Sequence, residues 1–313
     1  METYNDGMLM QKQAQSQDKE SADIIFERRK LSVEMPPYNW RELGFIENVA
    51  EKDFNEYFNK EIYQILPLKY LIKILIKDSI RFMNIFKHWQ DPYELFLLKQ
   101  NISVEGRSYK ERFNHQAMKY YGQCWSLTKD SDAMWRIYSY FKEGVRIKTT
   151  VGKLINELEQ TRGMIAVVPY FGKVRYCTKE EIGMWMQTNL NEESGHLFDA
   201  FKKSLFIKRQ EFSHENEMRF ILYLDEATNS VFNSEKKWCD NIHDDFIDLK
   251  INSREFIDEI AFDPRLSKED FEDWKTMLSN LSGNIPIVQS DLYEFLPISM
   301  SLKRSPYRIN LHN

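Results

Sequence analysis

From Glu217 to Leu224 the chain reads Glu-Met-Arg-Phe-Ile-Leu-Tyr-Leu, with Met218, Phe220, Leu222 and Leu224 two residues apart. A period of two is the signature of a strand with two unlike faces. Shorter runs predict further strands at Ile80–Met83, Gly122–Leu127, Gly144–Thr149, Phe246–Ile251 and Ile285–Val288. Ile65–Tyr70 reads as a strand feeding a helix at Leu71–Lys77, and Met164–Tyr170 with Lys173–Cys177 as a hairpin-like pair about Gly172. Helical spacing appears at 109–121, 131–141, 151–160 and 194–206. Two helices announce their starts. Thr178-Lys-Glu-Glu181 fits a capping box opening a helix through Trp185, and Ser267-Lys-Glu-Asp270 precedes the stripe Phe271, Trp274, Leu278 and Leu281. Strands and helices alternate irregularly, so the pattern predicts an α+β fold, a mixed or antiparallel sheet flanked by helices, rather than a doubly wound parallel one.

The polar N-terminal stretch predicts a flexible tail over 1–25, a single domain over 26–300 and a short C-terminal tail over 301–313. Hydrophobic residues make up 42% and aromatics 14%, too much bulky apolar material for a disordered chain. The net charge of -5 supplies no global field toward nucleic acid or anionic membrane. Cys124, Cys177 and Cys239 are far apart and lack metal-ligand spacing, which suits a reducing compartment. The first 25 residues lack the apolar core of a signal peptide, and the apolar run Tyr70–Ile76 is short and interrupted by Lys73. A cytoplasmic protein without a membrane partner is the expectation.

Glycine-rich phosphate loops, a nucleophile elbow and zinc-ligand spacings are all missing from the sequence, which disfavours P-loop, Rossmann, α/β-hydrolase and zinc chemistry. Four constellations remain. Glu215, Glu217 and Arg219 fall together on the face of their strand opposite Met218 and Phe220; two carboxylates beside a guanidinium serve as acid, base or electrostatic stabiliser, or as an ordinary solvated ion pair. Trp89-Gln-Asp91-Pro92-Tyr-Glu94 is a turn with a capping Asp or part of a site. Cys124-Trp-Ser126, followed by Met134-Trp135 and Tyr138, places Ser126 at a strand end near helix-packing residues. Asp245 with Asp248-Leu-Lys250 is the residue set of a metal-dependent nuclease.

Taken in order, Leu68-Lys69-Tyr70, Asp91–Glu94, Cys124–Ser126 with Met134-Trp135, Gly144–Ile147, Glu215–Arg219 and Phe262–Arg265 resemble the bacterial family catalogued as domain of unknown function 2971. The chain departs from the family's pattern at His88-Trp89-Gln90, Trp125, Arg136-Ile137 and Asp263. The layout is similar to that of ADP-ribosyltransferases of the nucleic-acid-modifying toxin type, a likeness of motif order. The resemblance implies an NAD-dependent ADP-ribosyltransferase-like enzyme, a toxin or phage-defence effector, with NAD as substrate and no metal. It assigns charge stabilisation at the ribose to Glu217, a partner or acceptor-side base to Glu215, and the ribose to Ser126. Lys69 or Arg219 would hold the pyrophosphate and Tyr70 would stack on nicotinamide, with Asp91 and Trp135 also on the nucleotide. The acceptor, protein or nucleic acid, stays open. The alternatives are the nuclease and a non-catalytic nucleotide- or protein-binding module.

Overall fold

A computed structural model of the chain describes residues 45–47, 54–99, 103–104, 107–108, 118–159, 167–190, 197–224, 239–243, 245–297 and 299–300. Both expected tails lie outside them, as do residues 109–117 of the helix read at 109–121. The first part of the chain forms β1 (Phe45–Glu47), α1 (Phe54–Phe58), β2 (Glu61–Pro67), α2 (Leu68–Lys77), β3 (Ser79–Asn84), α3 (Ile85–His88) and α4 (Phe96–Lys99). A two-strand ribbon, β4 (Ser103–Val104) with β5 (Arg107–Ser108), comes before β6 (Tyr120–Ser126) and α5 (Asp132–Tyr138). The middle contains β7 (Gly144–Thr150), α6 (Val151–Glu159), β8 (Val167–Lys173), β9 (Arg175–Cys177), α7 (Lys179–Asn189) and α8 (Leu197–Ser204). Then come β10 (Ile207–Arg209), a 3-10 helix over Gln210–Glu215, β11 (Glu217–Leu224), β12 (Cys239–His243) and β13 (Phe246–Lys250). The last elements are α9 (Ser253–Phe256), β14 (Glu259–Phe262), α10 (Lys268–Ser282) and β15 (Ile287–Gln289).

Among the described residues, eleven strands make one mostly antiparallel sheet, parallel only where β1 meets β8 and where β14 meets β15. Its main path runs β1-β8-β11-β6-β2-β7-β14-β15. The sheet forks at β6. One edge of that strand pairs with β11 along its whole length; the other is shared, Ser126 meeting Tyr63 of β2 while Gly122 and Tyr121 meet Met83 and Asn84 of β3. The fold is therefore α+β with helices flanking an antiparallel sheet, as the irregular alternation predicts.

Alternation along β11 divides the two faces. Met218, Phe220 and Leu222 join one apolar core with Trp125, Phe82, Ile147, Leu249 and the inner side of α2. Ile221, with Tyr223 beside it, joins a second core with Tyr120, Ile85, Leu95–Leu98, Phe201 and Phe206. Glu217 and Arg219 belong to this second face, at its polar end.

Local signals placed several elements accurately. Thr178 and Glu181 form the reciprocal capping box, and Ser267 accepts the Asp270 N–H at the start of α10. Two expectations are corrected. Tyr120 and Tyr121 begin β6 instead of ending a helix. Gly172 is not a hairpin turn: β8 runs straight through it, opposite Arg219 of β11, and β9 pairs with β10 instead.

A buried charge cluster on the central strand

β11 is flanked by β8 and β6 and covered on both faces, so its polar residues are not a solvated surface. Arg219 is fully buried and Glu217 3% exposed. Each nitrogen of the Arg219 guanidinium has an acceptor. Nε donates to Glu217 Oε1 at 3.0 Å; Nη2 donates to Glu217 Oε2 at 3.1 Å and to Glu94; Nη1 donates to the Leu205 carbonyl at 2.5 Å. The Trp89 ring lies 4.1 Å from the guanidinium carbon, close enough for a cation–π contact. Trp89 comes this near because β6 has Gly122 there, where a Cβ would stand 3.0 Å from Ile85 and 3.3 Å from Trp89.

Lys208, on β10, closes the network. Its ammonium contacts Glu215 at hydrogen-bond distance and lies 3.3 Å from both Glu217 and Glu94. Glu215 is not on the strand. It ends the 3-10 helix, and Asn216 in the left-handed region (φ 42°) turns the chain so that Glu215 and Glu217 meet across one lysine. The outer side is aromatic: Tyr138 of α5 donates to Glu215 Oε1 at 3.1 Å, and the Tyr176 hydroxyl accepts the Glu217 N–H at 2.8 Å. Asp91 fastens the loop that carries Glu94. It accepts the Tyr93 N–H, its carbonyl accepts the Glu94 N–H, and its carboxylate pairs with Arg209 at 3.0 Å.

The electrostatics follow from burial and neighbours. Burial alone would raise the Glu217 carboxyl, but Arg219 and Lys208 outweigh it and bring it down to about 2. Burial would lower Lys208, yet Glu217 and Glu94 hold it above its ordinary value. Burial, then the Glu217 charge, pushes the Cys124 thiol well up. Burial, then Glu215, raises the Tyr138 phenol. Three carboxylates (Glu94, Glu215, Glu217) face two cations (Lys208, Arg219), leaving one formal negative charge in excess.

The expected residues separate into three groups. Glu215, Glu217 and Arg219 do converge. Asp91 is joined to them through Glu94, whose N–H its carbonyl accepts. Ser126 lies opposite Glu217 in register, though its hydroxyl already donates to the Glu215 carbonyl at 2.7 Å and accepts the Thr128 N–H. Trp135 is buried elsewhere, donating to Asp130 at 2.8 Å within a separate network around Arg146. Lys69 and Tyr70 are exposed on α2, a helix that packs on the Met218 side of the sheet, so neither reaches the cluster. Arg219 is fully buried, with every guanidinium nitrogen bonded within the protein. Glu94, from the Trp89–Glu94 constellation, joins the cluster without a role assigned to it from sequence, and Lys208 stands in no motif of the sequence; only the fold brings the two to β11.

Both carboxylates of the nuclease set are engaged in ion pairs. Arg81 clasps Asp248 through two bonds of 2.6 and 2.8 Å, and Asp245 pairs with Lys87. Among the described residues no group of three or more His, Cys, Asp or Glu side chains could hold a metal ion. No helix among them is long and apolar enough to cross a membrane.

An α+β protein with a buried mixed-charge cluster on its central strand is thus the class that fold and site define. Residues 134–220 match the family model described as "Protein of unknown function (DUF2971)". That bears out the family resemblance over a stretch from α5 to β11 holding Tyr138, Tyr176, Lys208, Glu215, Glu217 and Arg219. No curated protein matches the chain. Among solved structures it is similar to DarT of Thermus sp. 2.9. The complex with NAD+ is 11% identical, covers 74% of this chain and 96% of that one, and has a TM-score of 0.32. The complex with ADP-ribosylated single-stranded DNA is 13% identical, covers 74% and 93%, and scores 0.31. TM-scores this low do not show a shared fold.

Proposed function

We propose that the chain is an NAD-consuming, ADP-ribosyltransferase-like enzyme with Glu217 as its electrostatic centre. The observation that carries this reading is a carboxylate held ionised and immobile by Arg219 and Lys208. Breaking the nicotinamide–ribose bond develops positive charge at the ribose. A fixed negative group in a site poor in water stabilises such charge without reorganising as the reaction proceeds. The negative charge in excess fits the cationic end of NAD. Glu215, nearer the exposed Tyr138, is the partner carboxylate. A role as toxin or phage-defence effector acting in the cytoplasm on a protein or nucleic-acid acceptor follows from the family resemblance, and belongs to the same proposal.

The test is nicotinamide release from NAD by the purified protein and three variants. Glu217→Gln should lose about a hundred- to a thousandfold in rate, Glu215→Gln less, and Met218→Gln, which faces the core, should damage folding first. If Glu217→Gln is as active as the parent, the assignment fails. One observation favours a second reading, a non-catalytic binding module: both Glu217 oxygens already have cationic partners. NAD binding by calorimetry with no nicotinamide release would decide for that module.

A further inference from the structure

The exposed side of α2 carries Lys69, Tyr70, Lys73, Ile76 and Lys77. Leu68, Leu71, Ile74 and Leu75 are buried, which fixes the helix with this side outward. Lys69, Lys73 and Lys77 are four residues apart, one row along the helix with a rise of about 6 Å between successive lysines. No acidic residue lies within α2, and the carboxylate of Asp78 just beyond it is engaged by the N–H and hydroxyl of Ser253. Among the described residues, none of the three lysines forms an ion pair. Like charges at this spacing repel by about 0.2–0.5 kcal/mol per pair. Tyr70 offsets part of that, its ring lying 5.1 Å from the Lys69 ammonium and 5.5 Å from that of Lys73.

We propose that α2 is a docking strip for the phosphate backbone of single-stranded nucleic acid, its three lysines on successive phosphates and Tyr70 stacking on a base. Charge complementarity selects a polyanion, and two features narrow it. A membrane-surface helix needs a broad free apolar face, whereas the apolar face of α2 is buried and Ile76 is the single aliphatic side chain on the exposed one. α10 packs alongside and carries Glu269, Asp270, Glu272 and Asp273 in its first turns, so the basic residues counted here are those of α2 alone. A single row suits one strand better than a duplex. This strip is on the opposite side of the sheet from Glu217, so it stands or falls independently of the NAD reading.

The experiment is fluorescence anisotropy of a labelled oligo-dT of about twelve nucleotides with the full chain. Three phosphate contacts on a single strand predict a log–log salt slope near -2, or about twentyfold weaker binding between about 50 and 200 mM salt. Replacing Lys69, Lys73 and Lys77 together by Gln should weaken binding at least about tenfold at low salt while the melting temperature holds. Tyr70→Ala should cost about five- to a hundredfold. Unchanged affinity in the triple variant overturns the proposal, and so does binding to anionic vesicles without binding to the oligonucleotide.

Discussion

Two buried arginines sit on the same side of the sheet and behave differently. Arg146, on β7, is 1% exposed and meets Asp130 at 2.5 Å and Glu259 at 2.7 Å, while its Nε is buried without a hydrogen-bond partner. Asp130 also receives Trp135 and Ser290, so the network ties a loop, a helix and a late segment to the sheet. Around Arg219 every nitrogen is satisfied, and a second cation and two further carboxylates are layered on. What differs is the wiring. Arg146 is one cation between two partly wet carboxylates, and its network fastens elements together. The Arg219 group shares its carboxylates between two buried cations, and the chain of contacts leads outward through Glu215 to Tyr138.

Arg219→Leu should sharpen that contrast most. It leaves Glu217 and Glu94 in the interior with Lys208 as their shared cation, and breaking a buried pair from one side costs about 3–5 kcal/mol. Chemical denaturation measures it, and a loss under about 1 kcal/mol would show that the carboxylates escape to water. Acid comes next. The Glu217 carboxyl is depressed in the folded state relative to an ordinary 4.5. Its contribution, about 3 kcal/mol as an order of magnitude, is therefore present above pH of about 4.5 and lost as pH falls toward 2. Glu217→Gln should flatten the stability profile in that window, and an unchanged acid limb would mean that other carboxylates govern it. Arg146→Leu should cost less than Arg219→Leu, because Asp130 and Glu259 keep 11% and 22% of their side chains in contact with water. Equal losses would erase the distinction between the two networks. Smallest of all is Asp248→Asn. Its partner Arg81 is 37% exposed, so the pair contributes about 1 kcal/mol or less, and titration calorimetry with magnesium should look the same for parent and variant.

Alternation made β11 legible to the residue, and with it the convergence of Glu217 and Arg219. Hydroxyl-and-carboxylate spacing made the caps of α7 and α10 legible, because both partners lie within one turn. Sequence could not report that the polar face of β11 is covered. Glu94 reaches Arg219 from 125 positions away, and Lys208 sits in a three-residue strand with no pattern of its own. Gly172 misled for a related reason: in a short window it looks like a turn, but inside the sheet it continues a strand opposite Arg219. Lys69 and Tyr70 lie apart from the cluster because motif order along a chain says nothing about which side of a sheet a helix takes.

The fork at β6 bears on how the molecule is assembled. Its two edges are claimed by strands from before and long after it, and Ser126 meets Glu217 only once residues up to 217 exist. Closing a loop of that span is slow compared with forming a local turn. Until β11 is seated between β8 and β6, nothing covers its polar face, and Glu94, 125 positions from Arg219, is not held against it. Desolvating the cluster is then a late event, coincident with zipping of the last central strand. In amide exchange, β6 and β11 should gain protection together and last, as a single cooperative step.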